Sequence, residues 1–270
     1  YIHLKTIPDA DPALIAAAGR YADRLSVNIE LPTEAAVERL APEKSVHTIK
    51  LAMGSVRRKL DEKAEEPRSP KFAPAGQSTQ MIVGADASDD QTILSTAETL
   101  YGSYKLKRVY YSAFSPIPQS PGSVPLAPPP MQREHRLYQA DFLLRSYGFQ
   151  ANELLPEAGN LALDIDPKLA WALAHREHFP LDLNMADETM ISRVPGIGLR
   201  NAKRLVELRR LRRIRYADLT RLRCSMKKIA PFIVTADYRP ASDTAASEVL
   251  RRSMAGQPKQ MDLWTELQAA

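Results

Sequence analysis

Hydrophobic and polar positions in the first 115 residues switch repeatedly between a period of two and a period near 3.6. His3–Ile7 reads as a strand end. Asp11-Pro12 opens a helix running to about Leu25, with Asp as its cap and Pro at its first position. Leu25, Val27, Ile29 and Leu31 then alternate with Ser26, Asn28 and Glu30, which predicts a strand over 25–31. Pro32-Thr33 starts a short helix to about Leu40, and the charged, Pro-rich stretch 61–78 reads as loop. Thr79–Ala85 is a predicted strand, Ser88-x-x-Gln91 a predicted capping box for a helix to about Tyr104, and Leu106–Phe114 a further strand. Strand, helix, strand, helix, strand in this order implies parallel pairing with helical crossovers, an α/β class.

The pattern changes at residue 116. Seven prolines fall within 116–130, which makes that stretch extended loop or linker. Arg133–Tyr147 is an amphipathic helix closed by Gly148, and Asp166-Pro167 starts another to about His178, beyond which Pro180 bars extension. The domain boundaries that follow are 1–115, a (β/α) unit; 116–181, Pro-rich linker and helical connector; 182–236, an all-α module; and 237–270, a weakly patterned tail.

Charge sharpens the third segment. Residues 193–228 hold thirteen Lys or Arg against two acids, Glu207 and Asp218, a local +11 in a chain of net +5. A basic block joined to an acidic remainder is the footprint of a module that binds polyanions. The motif inside it gives this chemistry a geometry. Asn184 can cap a helix carrying Met190, Ile191 and Val194; Pro195-Gly196-Ile197-Gly198 makes a hairpin too tight for side chains at either glycine; Ala202, Leu205 and Val206 line a second helix. This is a helix-hairpin-helix pattern. Its hairpin amides, at a helix N-terminus, face a phosphate, and Arg200, Lys203 and Arg204 add charge beside it. Contacts of this kind position a protein on duplex DNA without reading its bases. The segment Tyr216–Ile233 reads as a second, degenerate copy with its turn at Arg223-Cys224-Ser225 and no glycines.

Longer strings carry a resemblance. His3-Leu-Lys-Thr-Ile-Pro, Arg24-Leu-Ser-Val-Asn-Ile-Glu-Leu-Pro-Thr, Phe72-Ala-Pro-Ala-Gly-Gln-Ser-Thr-Gln-Met-Ile-Val-Gly-Ala, Lys107-Arg-Val-Tyr-Tyr-Ser-Ala and Arg133-Glu-His-Arg-Leu-Tyr-Gln-Ala-Asp resemble a family of radical S-adenosylmethionine (radical SAM) proteins linked to DNA modification or repair. The likeness spans roughly residues 1–236. It implies a partial (β/α) TIM-like radical SAM barrel with a [4Fe-4S] cluster and S-adenosylmethionine in the full-length parent, a DNA-presenting hairpin module, and a uracil-DNA-glycosylase-like partner. Barrel sites gather at the C-terminal ends of strands, so Asn28, Glu30 and Gly84 are the expected cofactor contacts, with His3 and Lys5 weaker ones.

One departure limits the resemblance. Such enzymes hold their cluster through Cys-x3-Cys-x2-Cys, whereas this chain has a single cysteine, Cys224, in the second hairpin. No stoichiometric cluster is expected on this chain, and the expectation is that the ligands lie upstream of Tyr1. A non-catalytic DNA-binding adaptor is the alternative. A hairpin-containing DNA glycosylase fits least well, since Arg200 stands near its Lys position and Asp218 inside a helix pattern. The lack of any apolar run near the roughly 18 residues of a membrane span, and of a signal peptide, suggests a cytoplasmic protein without membrane contact. Finally, Gln260-Met-Asp-Leu263-Trp264 resembles the peptides that bind bacterial sliding clamps, with Leu263 and Trp264 as apolar anchors and the Gln260 amide as polar contact.

Overall fold

A computed structural model describes residues 1–117, 122, 124–155, 159–241 and 247–255. The chain divides into two compact units, Tyr1–Leu161 and Ala162–Ala270.

The first unit is α/β. Strands β1 (His3–Lys5), β2 (Arg24–Ser26), β3 (Gln77–Val83) and β4 (Arg108–Ala113) form one parallel sheet in the order β1-β2-β3-β4. Between them run α1 (Pro12–Tyr21), α2 (Glu34–Leu40), α3 (Val46–Glu65) and α4 (Asp90–Tyr104), and after β4 come α5 (Met131–Tyr147) and α6 (Ala151–Leu154). The parallel βαβ order expected from the sequence is therefore present. Leu25, Val27, Ile29, Met81, Val83 and Val109 are buried, together with Ile49, Met53, Ile93, Leu94 and Ala97 from α3 and α4. This unit extends well past residue 115, because β4 needs α5. The N–H groups of Val109, Tyr111 and Ala113 donate to Tyr101 Oη (2.9 Å), Tyr138 Oη (3.0 Å) and Glu134 Oε2 (3.1 Å). Side chains thus close the outer edge of β4 to further strand pairing, whereas His3, Leu4 and Lys5 on β1 are exposed.

Several elements depart from expectation for identifiable reasons. The alternation over 25–31 buries the intended residues, but the ladder stops at Ser26. Ile29 N–H turns to Thr79 Oγ1 (2.8 Å), and Glu30, at φ 69°, rejoins β3 only through a bridge to Met81. The helix at 90–104 is capped by Asp89, whose carboxylate accepts from Thr92 N, rather than by Ser88. Residues 61–65, read as loop, complete α3. Its Val46, Ile49, Met53 and Val56 form a buried stripe, and Arg57–Asp61 pair at i,i+4 (3.2 Å) on its surface.

The second unit contains α7 (Pro167–Ala174), α8 (Glu188–Arg193), α9 (Leu199–Arg209), α10 (Tyr216–Arg221), α11 (Met226–Ile229) and α12 (Ser247–Met254). It is not wholly helical. Two short strands, β5 (Leu181–Asp182) and β6 (Ile233–Val234), pair in parallel and tie the ends of the α8–α11 segment together. Among the described residues no helix is long and apolar enough to cross a membrane.

Candidate nucleic-acid interface

The second unit brings the hairpin residues together. Asp187, not Asn184, caps α8, accepting from Met190 N at 2.7 Å. Asn184 instead ties the loop to Ile214, accepting from its N–H (2.7 Å) and donating to its carbonyl (3.3 Å). The chain leaves α8 at Val194, turns through Gly196 at φ 85° and enters α9 from Gly198. Gly196 is needed on two counts. Its φ lies in the left-handed region, and a Cβ there would sit 2.9 Å from Ile229 Cγ2 and 3.3 Å from Lys228 Cβ on α11. Gly198, at φ −87°, lies in a backbone region open to any residue, so the left-handed demand of the turn falls on Gly196 alone.

Ile197 is buried, so the hairpin's apolar residue points into the unit. Its neighbours do the opposite. Among the described residues, no acceptor meets the N–H groups of Gly198, Leu199 and Arg200, the first donors of an eleven-residue helix. Arg200, Lys203 and Arg204 are exposed on α9 at i, i+3 and i+4, one face of the helix, while Ala202 and Leu205 face inward. None of these three cations has an ion pair or hydrogen bond among the described residues.

Not all of the +11 block is available for a ligand. Arg193 lies over the Trp171 ring at 5.0 Å, and Arg209 donates to the carbonyl of Ala186. Arg212 grips Asp218 through both terminal nitrogens (2.9 and 2.6 Å), and Lys228 pairs with Asp166 at 3.4 Å. Asp218 is buried and also accepts from Arg215 N (2.9 Å); the Arg212 guanidinium above all holds its carboxyl below the usual carboxylate range. A carboxylate so engaged is a structural anchor rather than a general base facing a substrate.

The second hairpin, between α10 and α11, repeats the backbone of the first. Arg223, three residues before α11 as Gly196 is before α9, has φ 56°. Cys224 takes the buried place between the helices, and burial pushes its thiol pKa up. Asn201 Nδ2 reaches across from α9 to the Leu222 carbonyl at 3.1 Å, so this copy buttresses the first.

One residue of this site was not anticipated. Lys168, the single charge in the apolar helix Pro-Lys-Leu-Ala-Trp-Ala-Leu-Ala, is buried beneath the hairpin and donates to the Ile197 carbonyl at 2.5 Å. A lone lysine between a capped helix start and four apolar core positions, Leu169, Trp171, Ala172 and Leu173, is the available sequence signal.

In the first unit, Asn28, Glu30 and Gly84 follow β2 and β3 at the C-terminal end of the sheet. Glu30 pairs with Lys44 at 2.5 Å, and Asn28 is half-buried. Gly84 is left-handed at φ 82°, and the space its missing Cβ leaves is filled by Pro129, 2.8 Å from that position. His3 and Lys5 are engaged with Ser78 (3.4 Å) and Gln80 (2.9 Å). The donor set does not fit an iron–sulfur cluster, since the one cysteine is buried in the second unit with Asn201 Nδ2 3.5 Å from its sulfur. Gln260, Leu263 and Trp264 lie outside the described residues. In comparisons with known proteins, no family model, no curated protein and no solved structure matches this chain.

Proposed function

We propose that the second unit is a helix-hairpin-helix module that docks on the phosphate backbone of duplex DNA without base readout. The observation that carries this reading is the hairpin at 194–198: three consecutive N–H donors at the start of α9 with no acceptor among the described residues, beside three cations of one helix face that have no partner among them either. Donors and cations both match phosphate oxygens, and neither distinguishes one base from another. The amides supply direction and the side chains supply charge.

The test is a salt titration of the intact chain on two unrelated duplexes of equal length. If three phosphates are neutralised, log affinity falls with log salt at a slope of about −2.7, alike for both sequences. Gly198→Val, which leaves the Gly196 turn intact, weakens binding without unfolding the unit. A flat salt response, or full affinity in Gly198→Val, refutes the reading.

The link to radical SAM chemistry on DNA rests on sequence resemblance to that family. This chain's own residues offer no ligand set for the cluster, so no reaction step is derived, and its activity here is backbone docking, as in an adaptor. The parallel α/β unit is compatible with part of a larger barrel whose further strands would add at β1, an edge that no side chain among the described residues closes.

A further inference from the structure

We infer that Lys168 is the positioning residue of the hairpin: its buried ammonium holds the Ile197 carbonyl inward and thereby aims the Gly198 N–H at the phosphate. This inference rests on the DNA reading above. The geometric argument is that of a planar trans peptide, in which C=O and N–H point in opposite directions. Fixing the oxygen of the 197–198 peptide toward the interior therefore fixes the hydrogen of Gly198 toward the outside. Lys168 does the first at 2.5 Å, and Gly198 N has no acceptor among the described residues.

The chain could have placed a neutral donor here; a lysine costs more and does more. A buried ammonium pays desolvation, offset by charge-assisted bonding to the carbonyl. Its positive charge also lies behind the peptide dipole whose N–H end faces the anion, so it reinforces the same polarity. Asp166, at the cap of the same helix, acts on it electrostatically, and Asp166 is itself shared with Lys228 from α11 at 3.4 Å. Burial lowers the Lys168 pKa to about 7, with Asp166 opposing the shift. The hairpin is accordingly held by a charged group below neutrality and by a neutral amine above it.

Lys168 differs from Arg200, Lys203 and Arg204 in a way that binding data can separate. It is buried and touches no phosphate, so its removal lowers affinity without changing the number of counterions released.

The experiment compares the full wild-type chain with Lys168→Met, whose unbranched side chain fills the lysine stem's space, and with Lys203→Ala. Duplex affinity is read across salt and between pH 6 and 9, and the backbone amide of Gly198 is followed by NMR without DNA. In the wild type the Gly198 amide shift titrates with a midpoint near the Lys168 value of about 7, and affinity falls about tenfold as pH rises through it. Lys168→Met stays folded by its melting temperature, binds about tenfold more weakly at pH 6 with the wild-type salt slope, and loses both pH dependences. Lys203→Ala reduces the slope by about 0.9. A Gly198 amide shift left unchanged by Lys168→Met, or a reduced salt slope in that variant, overturns the positioning role. If Lys168→Met unfolds, the same readings of the Gly198 amide and of the salt slope are made on Lys168→Gln. A wild type whose Gly198 amide titrates but which binds no duplex keeps Lys168 as the hairpin's anchor and overturns the DNA reading instead, and with it the phosphate-aiming role.

Discussion

Replacing Gly196 with alanine separates the demands of the turn from those of a ligand. At φ 85° an L-residue carries a strain of about 1–2 kcal/mol that glycine does not. The new methyl also lands 2.9 Å from Ile229 Cγ2, on a β-branched and fully buried side chain, and 3.3 Å from Lys228 Cβ. Neither neighbour can swing away cheaply: Ile229 is stiff at χ1, and α11 would have to shift. Overpacking of this kind costs about 1–3 kcal/mol, so the total loss is about 3 kcal/mol. The reporter is Trp171, which is 3% exposed and stacked on His175 at 4.7 Å; a Trp264→Phe background makes it the sole tryptophan. With a urea dependence of about 1.5 kcal/mol per molar, the fluorescence midpoint falls by about 2 M. Gly198→Ala in the same background is the control: at φ −87° it carries no left-handed strain, and the difference between Gly and Ala at a helix cap is about 1 kcal/mol. Equal midpoints for Gly196→Ala and wild type would refute the left-handed turn packed on α11, and with it the hairpin geometry from which the interface is argued.

Two further substitutions probe the two units separately. Asp218 has its folded pKa held below the ordinary 3.8, chiefly by the Arg212 hydrogen bond, so its stabilisation is complete above that value and is lost as pH falls through the folded pKa. Acid unfolding of the second unit followed by Trp171 is therefore steeper below pH 3.8 in the wild type than in Asp218→Asn, which is already weakened at neutral pH; identical acid slopes would count against the Arg212–Asp218 bond. In the first unit, Thr79→Val removes the acceptor of the buried Ile29 N–H and costs about 1–3 kcal/mol. Amide exchange at Ile29 should accelerate by at least tenfold, and unchanged protection would show that β2 continues through 25–31 as a regular strand.

Local signals were legible where one residue decides one bond. Asp11, Thr33, Asp166 and the closing Gly148 act as caps as their types predict, because a cap depends on atoms within three or four residues. The burial of Leu25, Val27, Ile29 and Leu31 followed from alternation alone, and the Pro-Gly-Ile-Gly turn followed from glycine's conformational range. Sequence could not say that β2 would leave its ladder at Ser26, since that depends on a threonine fifty positions away capturing Ile29 N–H. It could not divide the basic block into paired and unpaired charges, because Arg193, Arg209, Arg212 and Lys228 find partners only once α7–α11 are assembled. Nor could it connect Lys168 to Ile197, twenty-nine residues apart on different helices and loops. Periodicity and capping are properties of neighbours along the chain. Which cation remains for a ligand, and which carbonyl is held, are properties of neighbours in space, and only the packed unit brought those together.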